Sequence, residues 1–132
     1  MTPPSTVRVL VAEDNADVAE LLKALIAMDP GLECVGAVAD ADGVRKALVL
    51  HVPAVMLLDL ELQGVSGIRV LQECRHDHPD VTVLIVSGHS SPAVIRAAKE
   101  AGAADFLVKP DDLPVLAERI RQALSAATPT IG

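Results

Sequence analysis

Residues 54–61 read AVMLLDLE. Five apolar residues run unbroken and stop at a carboxylate. So short a run, rich in Val and Leu, suits a strand of a parallel sheet covered on both faces; a half-solvated strand would alternate. The same grammar occurs twice more. Residues 7–14 read VRVLVAED, interrupted only by Arg8, and residues 81–87 read VTVLIVS, interrupted only by Thr82. The predicted strands are therefore 7–12, 54–58 and 81–86. Two weaker candidates, 33–39 and 105–108, complete a set of five. The first contains Gly36 and the second is very short, as edge strands can be.

Between these runs the apolar spacing becomes helical. Val18, Leu21, Leu22, Leu25 and Ile26 recur at three and four residues, and Asp29-Pro30-Gly31 ends the pattern. Val44, Ala47 and Leu48 form a shorter stripe before Pro53. Ser66 can cap a helix carrying Ile68, Leu71 and Cys74, which must end before Pro79. Ser91-Pro92 reads as a cap and a first-turn proline, followed by Val94, Ile95, Ala97, Ala98 and Ala101, with Gly102 as the stop. Asp112 can cap a last helix through Leu116, Ile120, Ala123 and Leu124. Five β-α units in succession predict an α/β fold, a single flavodoxin-like, doubly wound (βα)5 domain with helices on both faces of a five-stranded parallel sheet. With the weak strands at the edges, the predicted order is 2-1-3-4-5, which opens a crevice beyond the carboxyl ends of strands 1 and 3. The domain is assigned to residues 7–124. Residues 125–132, small and polar with Pro129, read as a tail or the start of a linker.

Composition narrows the function. The 132 residues suit one domain, and an apolar content of 51% is enough for a sizeable core. Eleven Lys and Arg against eighteen Asp and Glu leave a net charge of −7, which argues against this chain gripping a nucleic-acid backbone. Phe106 is the only aromatic residue, so base-stacking platforms are excluded. Cys34 and Cys74 lack a CxxC spacing and read as free thiols of a reducing compartment. No apolar run approaches the ~18–20 residues of a membrane span. Residues 1–6 carry no apolar run of the kind a signal peptide needs. A soluble, cytoplasmic protein without membrane association is expected.

The polar residues that break the apolar pattern follow the strands. Glu13-Asp14 come after strand 1, Asp59 after strand 3 with Glu61 two residues on, Ser87 after strand 4, and Lys109-Pro110 after strand 5. The topology gathers all of them at one edge of the sheet, with Asp14 and Asp59 within several Å of each other. Carboxylates that close repel unless a cation intervenes, and a divalent metal and the Lys109 ammonium are both at hand. All-oxygen ligands favour a hard ion such as Mg²⁺, which readily accepts phosphate oxygens as well. A carboxylate can attack phosphorus to give an aspartyl phosphate, and phosphoryl transfer asks the protein mainly for positioning and charge neutralisation. Each residue also has a plain reading. Glu13-Asp14 can favour a helix N-terminus, Asp59 can sit in a turn, Ser87 can bond its own loop, Lys109 can be solvated and Phe106 can fill core. His51, His76 and His78 read as helix-end surface residues, and Gly64 and Gly67 as turn glycines too sparse for a nucleotide-binding loop.

The ordered set, rather than any one residue, resembles the receiver domains of response regulators in two-component signalling, with their chemotaxis-regulator-like fold. The matching positions are Glu13-Asp14, Asp59, Gly64, Gly67, Ser87-Gly88, Phe106 and Lys109-Pro110, and the resemblance covers residues 7–124. It implies that Asp59 accepts a phosphoryl group from a sensor histidine kinase or phosphotransfer protein. It further implies Mg²⁺ (or Mn²⁺) held by Asp14, Asp59 and the Glu61 backbone carbonyl, with Glu13 acting through water. Lys109 would pair with one phosphoryl oxygen and Ser87 donate to another. Ser87 and Phe106 would form the switch, Phe106 turning inward as the loop closes, and the Lys109-Pro110 bond would be cis. Where the family commonly has proline, Gln63 stands here; Glu61 and His89 occupy positions that set the lifetime of the acyl phosphate.

The resemblance makes the chain a phosphorylation-controlled module rather than an enzyme acting on external substrates, with at most slow autodephosphorylation. The rival is a phosphohydrolase with an aspartyl-phosphate intermediate, for which Glu61 stands at the offset of a general acid. The 64–67 loop and the residues after Lys109 look like receivers linked to helix-turn-helix outputs, so transcription regulation through a DNA-binding domain not encoded here is one expectation. Dimerisation on phosphorylation, through the first and last helices or the fourth, is left open.

Overall fold

The computed structural model describes residues 6–63 and 65–127. The apolar runs are strands: β1 (Val7–Ala12), β2 (Leu32–Val38), β3 (Val55–Leu58), β4 (Thr82–Ser87) and β5 (Asp105–Val108). All pair in parallel in the order β2-β1-β3-β4-β5, the flavodoxin-like order 2-1-3-4-5. Five helices connect and follow them: α1 (Ala16–Ala27), α2 (Ala41–His51), α3 (Gly67–Asp77), α4 (Pro92–Glu100) and α5 (Leu116–Ala127).

Successive side chains of a strand point to opposite faces, so each buried run feeds two cores at once. Leu10, Met56, Leu58, Val83, Ile85 and Phe106 pack on one face with Val44, Leu48, Val70, Leu71 and Ala98 of α2, α3 and α4. Val9, Val11, Val55, Leu57, Leu84, Val86 and Leu107 pack on the other with Leu22 and Ile26 of α1 and Leu116 and Ile120 of α5. This double burial is why the strands lack alternation. No helix among the described residues is long and apolar enough to cross a membrane.

Several local expectations change. The strands expected at 33–39, 54–58 and 81–86 each move by one residue at one or both ends. Leu21, counted in the first helical stripe, is 45% exposed, because α1 buries only the narrower line of Ala19, Leu22 and Ile26. In α4 Ala98 alone of the expected stripe is buried. Ser66 stands at the N-cap of α3 but makes no capping bond through its side chain, and Asp112 precedes a 3₁₀ turn (Leu113–Val115) without capping it. The Asp112 carboxylate instead accepts from the Val108 N–H of β5 at 2.8 Å, a competing local bond that Asp makes readily. Ser91 does cap α4, accepting from Val94 N at 3.3 Å. Asp40, not anticipated, caps α2 by accepting from Gly43 N at 2.7 Å. α5 continues to Ala127, into the segment expected to be a tail; the rest of that tail, residues 1–5 and the expected turn at Gly64 lie outside the described residues.

Candidate functional site

The sheet register assembles the site. Ala12 of β1 lies beside Leu58 of β3, and Leu58 beside Ile85 of β4. One residue further on, each chain still follows its neighbour: Glu13 N bonds Val38 O, Asp59 N bonds Ala12 O and Lys109 N bonds Ser87 O, all at 2.9 Å. The residues that end the apolar runs are therefore fixed by backbone bonds and not by loop conformation. After Asp59 the chain forms an unexpected two-stranded ladder, Glu61–Leu62 with Val65–Ser66, that returns directly into α3. There Gly67 is obligatory. A β-carbon at this position would lie 2.4 Å from the Leu60 Cα and 2.7 Å from the Asp59 carbonyl oxygen.

Glu13, Asp14 and Asp59 each offer a carboxylate oxygen within 4.8 Å of the others. Asp59 is 6% and Glu13 4% exposed, while Asp14 lies more open to solvent. The Lys109 ammonium bridges the two buried members, donating to Glu13 Oε1 at 2.7 Å and to Asp59 Oδ2 at 3.3 Å. Asp59 Oδ1 also accepts from the Glu61 N–H at 3.1 Å, and Glu13 Oε2 from the Asn15 N–H at 3.3 Å. Burial, with a hydrogen bond to and the charge of Asp59, pushes the Glu13 carboxyl up to about 7 against the opposing pull of Lys109. Burial alone would lower the Lys109 ammonium, but its bonds and charge interactions with Glu13 and Asp59 together hold it above the ordinary lysine value. One cation thus serves the two buried carboxylates, with the third, Asp14, in the same cluster. The donor set, all oxygen with no thiolate or imidazole, fits Mg²⁺ or another hard divalent ion.

The rim is formed by β4 and β5. Ser87 is fully buried, and its Oγ accepts from the His89 N–H at 3.1 Å, leaving its own proton to donate elsewhere. The Lys109-Pro110 bond is cis. Phe106 already points inward, 6% exposed, in the core shared with α4. His89 and Glu61 meet across the mouth at 2.5 Å, joining the loop after β4 to the ladder after β3. Gln63 forms an isolated bridge with Asp40 at the start of α2. His76 pairs with Asp77 at an exposed helix end and is not part of the ligating cluster found among the described residues. The Arg119–Asp105 pair, with bonds of 2.6 and 2.7 Å from α5 to β5, leaves no mark in the sequence. Its members stand 14 residues apart and share no motif; only the fold brings them together.

Comparison with known proteins agrees with this geometry. The model of the family described as response regulator receiver domain matches residues 9–121. A protein-glutamate methylesterase/protein-glutamine glutaminase 1 of Cereibacter sphaeroides is 36% identical over 134 residues, covering 96% of this chain and 36% of the relative. The chain therefore spans about a third of that relative's length. Among solved structures, the response regulator domain of Thermotoga maritima CheB superposes with a TM-score of 0.84 at 29% identity, covering 91% of this chain and 97% of that one. A two-component response regulator of the LuxR family from Aurantimonas sp. SI85-9A1 gives a TM-score of 0.87 at 30% identity, covering 92% and 87%. These matches favour a signalling module over a phosphohydrolase.

Proposed function

The chain belongs to the response regulator receiver domain family, and from that premise we propose that Asp59 is its phosphoacceptor. The observation that carries this reading is the Lys109 ammonium set between Glu13 and Asp59, with Asp14 in the same cluster. The donor is a phosphohistidine of a sensor kinase or phosphotransfer protein. The nitrogen–phosphorus bond breaks as an Asp59 oxygen–phosphorus bond forms, and the leaving imidazole keeps the electron pair and takes up a proton. Magnesium or manganese, when bound, neutralises charge on the phosphoryl oxygens; Asp14, Asp59 and the Glu61 carbonyl would hold it, with Glu13 reaching it through water. Lys109 gives up part of its contact with Glu13 to pair with one phosphoryl oxygen. Ser87 donates its hydroxyl proton to another. Both contacts exist only with the phosphoryl group in place, so they select the loop arrangement that makes them. Phe106 and the surface of α4, β5 and α5 carry that change to a partner. Glu61 and His89, paired across the mouth, tune how long the acyl phosphate survives.

On this reading the domain runs from residue 7 to the end of α5, three residues beyond the expected 124, and is placed in the cytoplasm where kinase and receiver meet. Its output is either an attached domain, DNA-binding or enzymatic, or a separate protein, and its phosphorylated form is free to pair with a second copy. Treatment with phosphoramidate and Mg²⁺ followed by intact-mass measurement tests the proposal. One phosphoryl group, ~80 Da, should add to the wild type and none to Asp59→Asn. A gain in Asp59→Asn, or steady turnover of a phosphomonoester in place of stoichiometric labelling, overturns the assignment. In the same samples the added mass should decay at a changed rate in the Glu61→Gln/His89→Ala variant; an unaltered decay removes the tuning role.

A further inference from the structure

β5 carries Phe106 at an edge of the sheet, and the peptide groups of this residue are gripped by a single ion pair. The Phe106 N–H donates to Asp105 Oδ1 at 2.8 Å, and the Phe106 carbonyl accepts from Arg119 Nη2 at 3.3 Å. The same two side chains are joined to each other by a fork, Arg119 Nε to Asp105 Oδ2 at 2.6 Å and Nη2 to Oδ1 at 2.7 Å. An exposed ion pair contributes little and wanders. This one differs on three counts: it is bidentate, its side chains are only 20% and 28% exposed, and both partners are also tied to the backbone of one residue. Burial alone would raise the Asp105 carboxyl, yet the bonds from Arg119 and from the Phe106 N–H hold it below its ordinary value.

The pair also joins two layers of the molecule. Phe106 packs in the core layer on the α4 side of the sheet, whereas its neighbour Leu107 packs in the opposite layer, on the α5 side. Arg119 belongs to α5 and reaches the edge strand to hold Phe106 from the other layer. A side chain's permitted rotamers depend on its backbone angles, so a device that fixes the Phe106 peptide restricts where the ring can go. We propose that Asp105 and Arg119 are positioning residues for Phe106, setting the backbone that carries the ring and coupling the ring's placement to α5. This extends the reading of Phe106 as part of the switch.

Phe106 is the only aromatic residue of the chain, so biosynthetic 4-fluorophenylalanine gives a single fluorine resonance. In wild type that line should move when phosphoramidate and Mg²⁺ are added. In Arg119→Gln and in Asp105→Asn it should be displaced before any donor is added, and its response to the donor should shrink. Arg119→Lys, which keeps the charge without the fork, should resemble Arg119→Gln. The double variant should show no more displacement than either single one, since both remove one unit; two unrelated packing defects would add. An unmoved line in the single variants, additive displacements, or a wild-type line indifferent to phosphorylation overturns the proposal. Intact mass in the same samples reports the phosphoacceptor separately. No mass gain would sink that assignment, while the donor-free lines still decide the role of the pair.

Discussion

Glu13 is the residue whose chemistry is least like its surface counterpart. A carboxylate with a side chain only 1% exposed keeps one lysine as a partner and another carboxylate as a neighbour. With its carboxyl pushed up to about 7 from 4.5, the folded chain holds a proton across that interval which the unfolded chain has released. The resulting contribution to stability is complete below pH 4.5 and is lost as the pH rises through about 7. In metal-free buffer the urea midpoint of the wild type should therefore fall over this window, and Glu13→Gln should flatten the fall. Asp105, held below its ordinary 3.8, acts in the opposite direction and at lower pH, so it does not mask the effect. A profile equally steep in Glu13→Gln would show that the carboxylate is not the source. The acidic pair, Asp59, Ser87 and Lys109 were all legible as residues because each interrupts an apolar run at its carboxyl end. The Lys109–Glu13 contact was not, since 96 residues separate its members.

Among the elements, the join between α2 and β3 is the least economical. α2 ends at Val52 in a left-handed conformation, φ 45° and ψ 60°, although the side chain is 73% exposed. A β-branched residue there costs about 1–2 kcal/mol relative to one that tolerates the region, and Asn is such a residue. Val52→Asn should raise the stability by about 1 kcal/mol in urea titration, with no change in phosphoryl uptake. A lower midpoint would mean that the exposed valine makes a contact worth more than its strain. Gly102, with φ of 108°, solves the equivalent problem after α4 by having no side chain, and was predictable as a stop. Existence and order of the elements could be read from period and punctuation. Caps were less predictable, because Ser66 and Asp112 meet the compositional rule yet their side chains make no capping bond.

Across the whole molecule, three carboxylates meet at one end of a sheet in a chain of net charge −7, with one ammonium between two of them. A cation bound there relieves repulsion that the folded state alone suffers, so binding is linked to folding. Mg²⁺ should raise the midpoint of thermal unfolding progressively, contributing about 2.7 kcal/mol at a hundredfold excess over its dissociation constant. Asp14→Asn should weaken that rise, and sodium at matched ionic strength should not reproduce it. Equal stabilisation of wild type and Asp14→Asn would exclude the cluster as the site. The amino-acid order by itself determined the parallel, doubly wound sheet and the carboxylates at its edge, because burial on both faces demands unbroken apolar runs and leaves polar residues only where the runs end. Which of those residues touch, how Gly67 lets α3 approach the Asp59–Leu60 backbone, and how Arg119 reaches Phe106 were decided only by tertiary packing. Hydrogen bonds and close contacts between distant residues depend on register and on ångström-scale approach, and neither leaves a periodic mark in the chain.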